Sequence, residues 1–208
     1  MRRPLDQYFT PLSATRVLLK YQPNISGTIL EPCVGLGDLA APLRRLGRVV
    51  SNDIDTSMVA DFHMDAAKDE FWQAVGQPDW VVSNPPFSCC QPIISGAFSV
   101  AREGVAMLLR LSYLEPCNNR AEFLSTNPPS LIVLPRISFT GDGKTDNVTC
   151  AWFVWDFSAQ HRQVRVVTKA EVSALTSSVS DLNVLEIVTY LNTTQGAQAD
   201  RLRDLCDL

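Results

Sequence analysis

Between residues 28 and 115 short apolar runs alternate with helical patterns, and this alternation restricts the fold more than any other feature of the chain. Strand-like runs lie near 28–33, 48–53, 62–65, 79–83 and 105–111. Helical patterns lie near 37–46, 67–75, 92–102 and, after the last of these strands, 119–126. Strands separated by helices return to one sheet in the same direction, so the pattern predicts a parallel sheet with helices on both faces. Two later runs, 130–139 and 149–157, have no helix between them and are expected to pair antiparallel. Residues 163–167 read as one more strand, and 171–191 and 199–208 as helices. A chain of 208 residues fills one such core and is short for two. In an open α/β sheet, ligands bind outside the carboxyl ends of the strands, so the residues at those ends carry the functional signal.

The fourth run ends as Val81-Val82-Ser83-Asn84-Pro85-Pro86-Phe87. Two consecutive prolines remove two backbone donors and fix φ, which ends an interior strand and holds the flanking side chains in a stiff, extended loop. That loop presents Asn84 as an acceptor for an amino group and Phe87 as a stacking ring. The first run ends as Glu31-Pro32-Cys33-Val34-Gly35-Leu36-Gly37 before a helical pattern. Gly35 and Gly37 allow a tight turn and a close backbone approach to a ligand. With no third glycine the loop is a poor match to the dinucleotide fingerprint. The second and third runs also end in acids, at Asp53 and Asp65, with Asp55 a less favoured candidate beside Asp53. Ahead of the first strand, Tyr8-Phe9-Thr10-Pro11 precedes an apolar helical pattern through Ala14, Val17 and Leu18.

Taken together these segments resemble the class I S-adenosylmethionine-dependent amino-methyltransferases, above all the phage and bacterial enzymes that methylate N6 of adenine in DNA. The resemblance is carried by the (Asp/Glu)-Pro-x-x-Gly-x-Gly loop, the Asn-Pro-Pro-Phe tetrapeptide and the aromatic-Thr-Pro element. It is extended by Pro135-Arg136 through Phe139, Gly141-Asp142-Gly143-Lys144 and Phe153-Val154-Trp155, and covers residues 8–157. It implies a single-domain Rossmann-like fold with a mostly parallel seven-stranded sheet and an antiparallel edge hairpin. Residues 1–27 would form an amino-terminal element, 28–157 the catalytic core and 158–208 a carboxyl-terminal extension. S-adenosyl-L-methionine is the implied cofactor, with Thr10, Pro11, Glu31, Pro32, Gly35, Gly37, Asp53, Asp65 and Asn84 as its contacts. In that pattern Asp53 accepts the ribose hydroxyls and Asp65 the adenine amino group. Asn84, Pro85, Pro86 and Phe87 would form the catalytic loop, with Phe87, Arg136 and Lys144 touching the substrate. Adenine in a nucleic acid, DNA first, is the implied substrate. Related motifs also occur in enzymes that methylate RNA amino groups or protein glutamine, and a non-catalytic nucleic-acid-binding subunit is a further alternative.

Composition narrows the setting. With 46% hydrophobic and 19% charged residues the chain has neither a disordered nor a membrane composition. No apolar run approaches ~20 residues and the amino terminus is not followed by a signal-peptide core, so a cytoplasmic location is expected. Cysteines 33, 89, 90, 117, 150 and 206 contain no C-x-x-C pair and there are only two histidines, so no metal site is expected. Cys89 and Cys90 fall at an expected helix start, where a thiol pKa can drop, although a packing role fits free cysteine better. A net charge of −4 requires that any nucleic-acid contact come from a local patch. Arg2, Arg3, Arg16 and Lys20 cluster near the amino terminus. Arg110, Arg120, Arg136 and Lys144 fall in segments on the expected site face. Of these only Arg136 and Lys144 are assigned to substrate, and a homodimer is compatible with the sequence.

Overall fold

In the structure, a computed structural model that describes residues 10–117, 120–136 and 148–177, the apolar runs become strands of one seven-stranded sheet. The elements are α1 (Leu12–Tyr21), β1 (Gly27–Glu31), α2 (Ala40–Leu43), β2 (Gly47–Ser51), α3 (Asp69–Ala74), β3 (Trp80–Ser83) and α4 (Cys90–Val100). They continue as β4 (Gly104–Arg110), a 3-10 turn (Leu111–Leu114), α5 (Arg120–Thr126), β5 (Ser130–Val133), β6 (Cys150–Asp156), β7 (Val164–Val166) and α6 (Lys169–Ser177). Their order across the sheet is β2-β1-β3-β4-β6-β5-β7. Only β6 runs against its neighbours, antiparallel to β4 and β5, and all other pairings are parallel. The mostly parallel Rossmann-like sheet with its antiparallel hairpin is therefore present, and β7 adds one strand outside that hairpin.

Central strands buried on both faces explain the near-continuous apolar runs. Along β4, Ala106 and Leu108 pack on one face with Val17 and Leu18 of α1 and Leu43 of α2. Val105, Met107 and Leu109 pack on the other with Phe71 and Trp72 of α3 and Ile93, Ile94 and Ala97 of α4. Trp152 ties α1 to the sheet, its Nε1 donating to the Ala14 carbonyl at 2.8 Å, and Trp72 Nε1 donates locally to that of Ala66 at 2.9 Å. No helix among the described residues is long and apolar enough to cross a membrane.

The strand expected over 62–65 is absent. That segment makes one parallel bridge, Asn52 to Phe62, and side chains replace the rest of the ladder. The backbone amide and hydroxyl of Ser51 both donate to Asp61 Oδ2 at 2.8 Å. Asn52, fully buried, donates to the carbonyls of Pro32 at 2.9 Å and Met64 at 3.0 Å and accepts from the Met64 amide at 2.9 Å. α2 is also shorter than the 37–46 pattern: Gly37 at φ 85° cannot open it, and past Leu43 the chain tightens into i→i+3 turns before Gly47 starts β2. α6 begins at Lys169 and is described only to Ser177, so the remainder of the expected 171–191 helix and that over 199–208 lie outside the described residues.

Candidate functional site

β1 leaves toward β2 through α2 on one face, whereas its neighbour β3 leaves toward β4 through α4 on the other. The connections thus diverge between β1 and β3, and the crevice at that switch point is where such a sheet binds ligands. The carboxyl ends meeting there carry Glu31 and Ser83-Asn84, and Ser83 Oγ donates to Glu31 Oε1 at 2.6 Å across the junction. The cleft above is lined by the 33–36 loop, Asp38, Leu39, Thr10 and Asn84. Three motifs separated in sequence, the Thr-Pro element, the glycine loop and the Asn-Pro-Pro-Phe loop, therefore converge on one cavity.

The loop's shape follows from its glycines and from β2. Gly35 and Gly37 take φ of 52° and 85°, the left-handed region that side chains rarely adopt. The Gly35 amide donates to Asp53 Oδ2 at 2.8 Å, and Asp53 Oδ1 accepts from the Asp55 amide at 2.9 Å. The Val34 amide donates to the Asn52 carbonyl at 2.9 Å. Asp53 thus reaches the glycine loop, whereas Asp55 turns back to cap Ser57. Asp65 accepts from the Ala67 amide at 2.9 Å and does not line the cleft. Pro32 lies beneath the loop as an acceptor for Asn52, and Pro11 precedes α1, its carbonyl accepting from the Ala14 amide at 2.9 Å.

Glu31 is the electrostatic anomaly. Its side chain is 0% exposed, Oε1 accepts from Ser83 and from the Cys33 amide at 3.3 Å, and Oε2 has no partner among the described residues. Burial pushes its carboxyl well above the usual carboxylate range, the bonds from Ser83 and Cys33 offset only part of this, and the charge of Asp53 raises it further. A buried acceptor without a donor is costly, so this oxygen fits a ligand that brings one. The Cys33 thiol beside it is pushed up by burial, then by Glu31 and Asp53. Cys90, the first residue of α4, is also raised by burial, so the lowered thiol pKa considered at that helix start is not found at Cys90.

In the proline loop, Pro85 is buried, Asn84, Pro86 and Phe87 are half-buried, and the Pro86 carbonyl accepts from the Cys89 amide at 3.1 Å. The Arg110 guanidinium lies over the Phe87 ring, 4.4 Å from its centroid. Arg136 is exposed beyond β5 and is not part of the cleft lining. Lys144 with its Gly141 to Gly143 loop, and Tyr8-Phe9, lie outside the described residues. Four residues to which the sequence assigns no role stand in or beside the site: Ser83, Asn52, Arg110, which it places only on the expected site face, and Ile54. Ile54 is an apolar side chain left 54% exposed immediately after Asp53. Its one visible sequence signal is an isoleucine between two aspartates at a strand end.

No family model and no curated protein matches this chain. Solved structures do match. A methyltransferase subunit of a type I restriction-modification system from Streptococcus thermophilus aligns with TM-score 0.61 at 11% identity, over 91% of this chain and 54% of that one. A Pyrococcus horikoshii protein, assigned provisionally as an RNA methyltransferase, aligns with TM-score 0.56 at 18% identity, over 74% of this chain and 90% of that one. A Listeria monocytogenes protein, assigned provisionally as a class I S-adenosylmethionine-dependent methyltransferase, gives 0.55 at 12%, over 83% and 69%. The chain spans about half the length of the first of these. At such identities the likeness establishes the fold, which is that of the class I methyltransferases.

Proposed function

We propose that this protein is an S-adenosylmethionine-dependent methyltransferase that methylates N6 of adenine in DNA. The observation that carries the reading is the convergence of Thr10, the Gly35 loop and Asn84 on one cleft at the β1–β3 switch point. The donor set fits the cofactor: the orphaned Oε2 of Glu31 suits the ammonium of its methionine part, and Asp53 and exposed Ile54 suit its ribose and adenine. When bound, S-adenosylmethionine supplies an electrophilic methyl group on its sulfonium sulfur. Thr10 and Asn84 border that end of the cleft, and Asp65, held near the loop through Asn52 and Met64, is the proposed acceptor for the cofactor's adenine amine.

An exocyclic adenine amine is a poor nucleophile because its lone pair is delocalised into the ring. The Asn84 side-chain oxygen and the Pro85 carbonyl would accept hydrogen bonds from its two N–H groups, which favours a pyramidal nitrogen facing the methyl group. Phe87 stacks on the base, a contact worth ~1 to 3 kcal/mol. None of these groups is a useful base near neutral pH, so acceleration comes from alignment and preorganised dipoles, and the amine proton leaves to solvent after transfer. A duplex substrate must flip its base out to reach the cleft. Arg136 and Lys144 are retained as proposed substrate contacts at the rim.

Methyl transfer from labelled S-adenosylmethionine to duplex DNA, single-stranded DNA, RNA and protein tests this directly, with mass spectrometry of the product nucleosides. N6-methyladenine in DNA is the expected product. Asn84→Ala is expected to lose turnover by ~100-fold or more while binding of S-adenosylhomocysteine changes little. Label recovered in RNA instead would favour the second reading, which the 90% coverage of the Pyrococcus horikoshii protein supports. No affinity for S-adenosylmethionine or its demethylated product would remove the assignment altogether.

A further inference from the structure

Resting on the nucleic-acid reading above, we propose that Arg110, with Arg120 beside it, forms a basic lip that binds phosphates flanking the target nucleotide and holds Phe87 in its stacking orientation. Arg110 ends β4, whose neighbour β3 runs directly into Asn84 to Phe87, with Ser83 opposite Met107 in register. Its guanidinium sits 4.4 Å from the Phe87 ring centroid, a planar cation on a half-buried ring. A second pair follows in the same segment. Arg120 lies 4.8 Å from the Tyr113 centroid and donates to the carbonyls of Ser112 at 3.4 Å and Tyr113 at 3.3 Å.

The two pairs belong to one assembly. The Tyr113 hydroxyl donates to Gln91 Oε1 at 2.6 Å, and Gln91 stands in the first turn of α4, the helix that follows Phe87. Both arginines are thus anchored, one directly and one through α4, to the loop that presents Asn84. Among the described residues neither guanidinium is paired with a carboxylate. Arg102 provides the contrast: it closes on Asp79 at the opposite end of the sheet, where a cation serves the fold. An arginine laid on an aromatic ring keeps its charge for a phosphate while its stem is already ordered, so little side-chain freedom is lost when the phosphate arrives. In a chain of net charge −4, cations set beside the reacting loop confine attraction of a polyanion to that mouth.

The test is fluorescence anisotropy of a labelled random-sequence DNA duplex and its single strand with the full chain and S-adenosylhomocysteine, over a salt series. Arg110→Ala is expected to weaken binding about tenfold and to reduce the slope of log affinity against log salt by about one phosphate contact. Arg110→Lys is expected to keep the slope but lose turnover, because an ammonium does not stack as the guanidinium does. Arg110→Gln, closer in length, guards against a folding defect in the alanine variant, and exposed Arg48→Ala on β2 should change nothing. Calorimetric affinity for S-adenosylhomocysteine should be the same in all of them. Parental DNA affinity and salt slope in both Arg110→Ala and Arg110→Gln would overturn the lip and leave the methyltransferase reading standing. A parent chain that binds S-adenosylhomocysteine but neither nucleic acid would overturn both the lip and the nucleic-acid substrate.

Discussion

Buried Glu31, beneath the cleft, holds its proton more tightly than an ordinary carboxyl, and the direction of that displacement makes its role testable. Its carboxyl is raised by burial, so the folded, ligand-free protein holds the proton more tightly than the unfolded chain. The associated stability is fully present below the ordinary carboxylate pKa and is lost as pH rises through the raised folded value. The ligand-free protein should therefore lose stability from acid toward neutral pH, and Glu31→Gln should flatten that part of the profile. A cationic ammonium at Oε2 reverses the preference, because it favours the ionised carboxylate. Affinity for S-adenosylhomocysteine should accordingly climb with pH in the parent and stay flat, and at least ~10-fold weaker at neutral pH, in the variant. Calorimetry from about pH 5 to about pH 9 checks this, and equal pH dependence in both proteins would show that Glu31 does not hold the ammonium.

At the scale of elements, the site depends on a segment that is not a strand. Asn52 joins the end of β1, the end of β2 and the 62–65 segment through three hydrogen bonds, one buried and two part-buried, so Asn52→Ala strips partners from the Pro32 and Met64 carbonyls and the Met64 amide. Each buried group left unpaired costs about 1–3 kcal/mol, and some will recruit water, so a loss of about 3 kcal/mol in denaturant-unfolding stability is expected. The same locality shows what sequence can and cannot disclose. A short run such as Phe62-His63-Met64-Asp65 has the alternation of a strand whether backbone pairs or side-chain clamps hold it, so its expected strand was indistinguishable from the single bridge observed. Strands β1 to β4 were legible because burial on both faces leaves apolar runs that only turn residues can end. α6 starts two residues ahead of the expected 171, at Lys169, where Thr168 and Glu171 form a capping box that the periodicity did not report, the Thr168 amide donating to Glu171 Oε2 at 2.8 Å and the Glu171 amide to Thr168 Oγ1 at 3.2 Å. By contrast, the Glu31–Ser83 and Arg110–Phe87 contacts depend on which strands become neighbours and in what register, which no local pattern encodes.

For the whole molecule, the switch point makes ligand binding and global stability one property. The cleft is built from residues on α1's entry, the β1–α2 loop and the end of β3, so a ligand filling it bridges elements from distant parts of the chain and is lost when the sheet unfolds. A ligand that binds only the folded state at ~100 times its dissociation constant adds about 2.7 kcal/mol. For a chain of this size each kcal/mol moves the melting temperature by about 2–4 °C, so S-adenosylhomocysteine should raise it by ~5–10 °C. Gly35→Val should abolish that rise. At φ 52° a β-branched side chain costs about 1–3 kcal/mol, so the variant should also melt a few degrees lower without ligand, yet still cooperatively, because neither packed face of the sheet includes position 35. The two effects separate cleanly in a melting series at increasing S-adenosylhomocysteine. A parent midpoint that does not move with concentration would mean that the cleft binds no such cofactor, and a variant midpoint that climbs with the parent's would mean that the glycine loop is not what holds it.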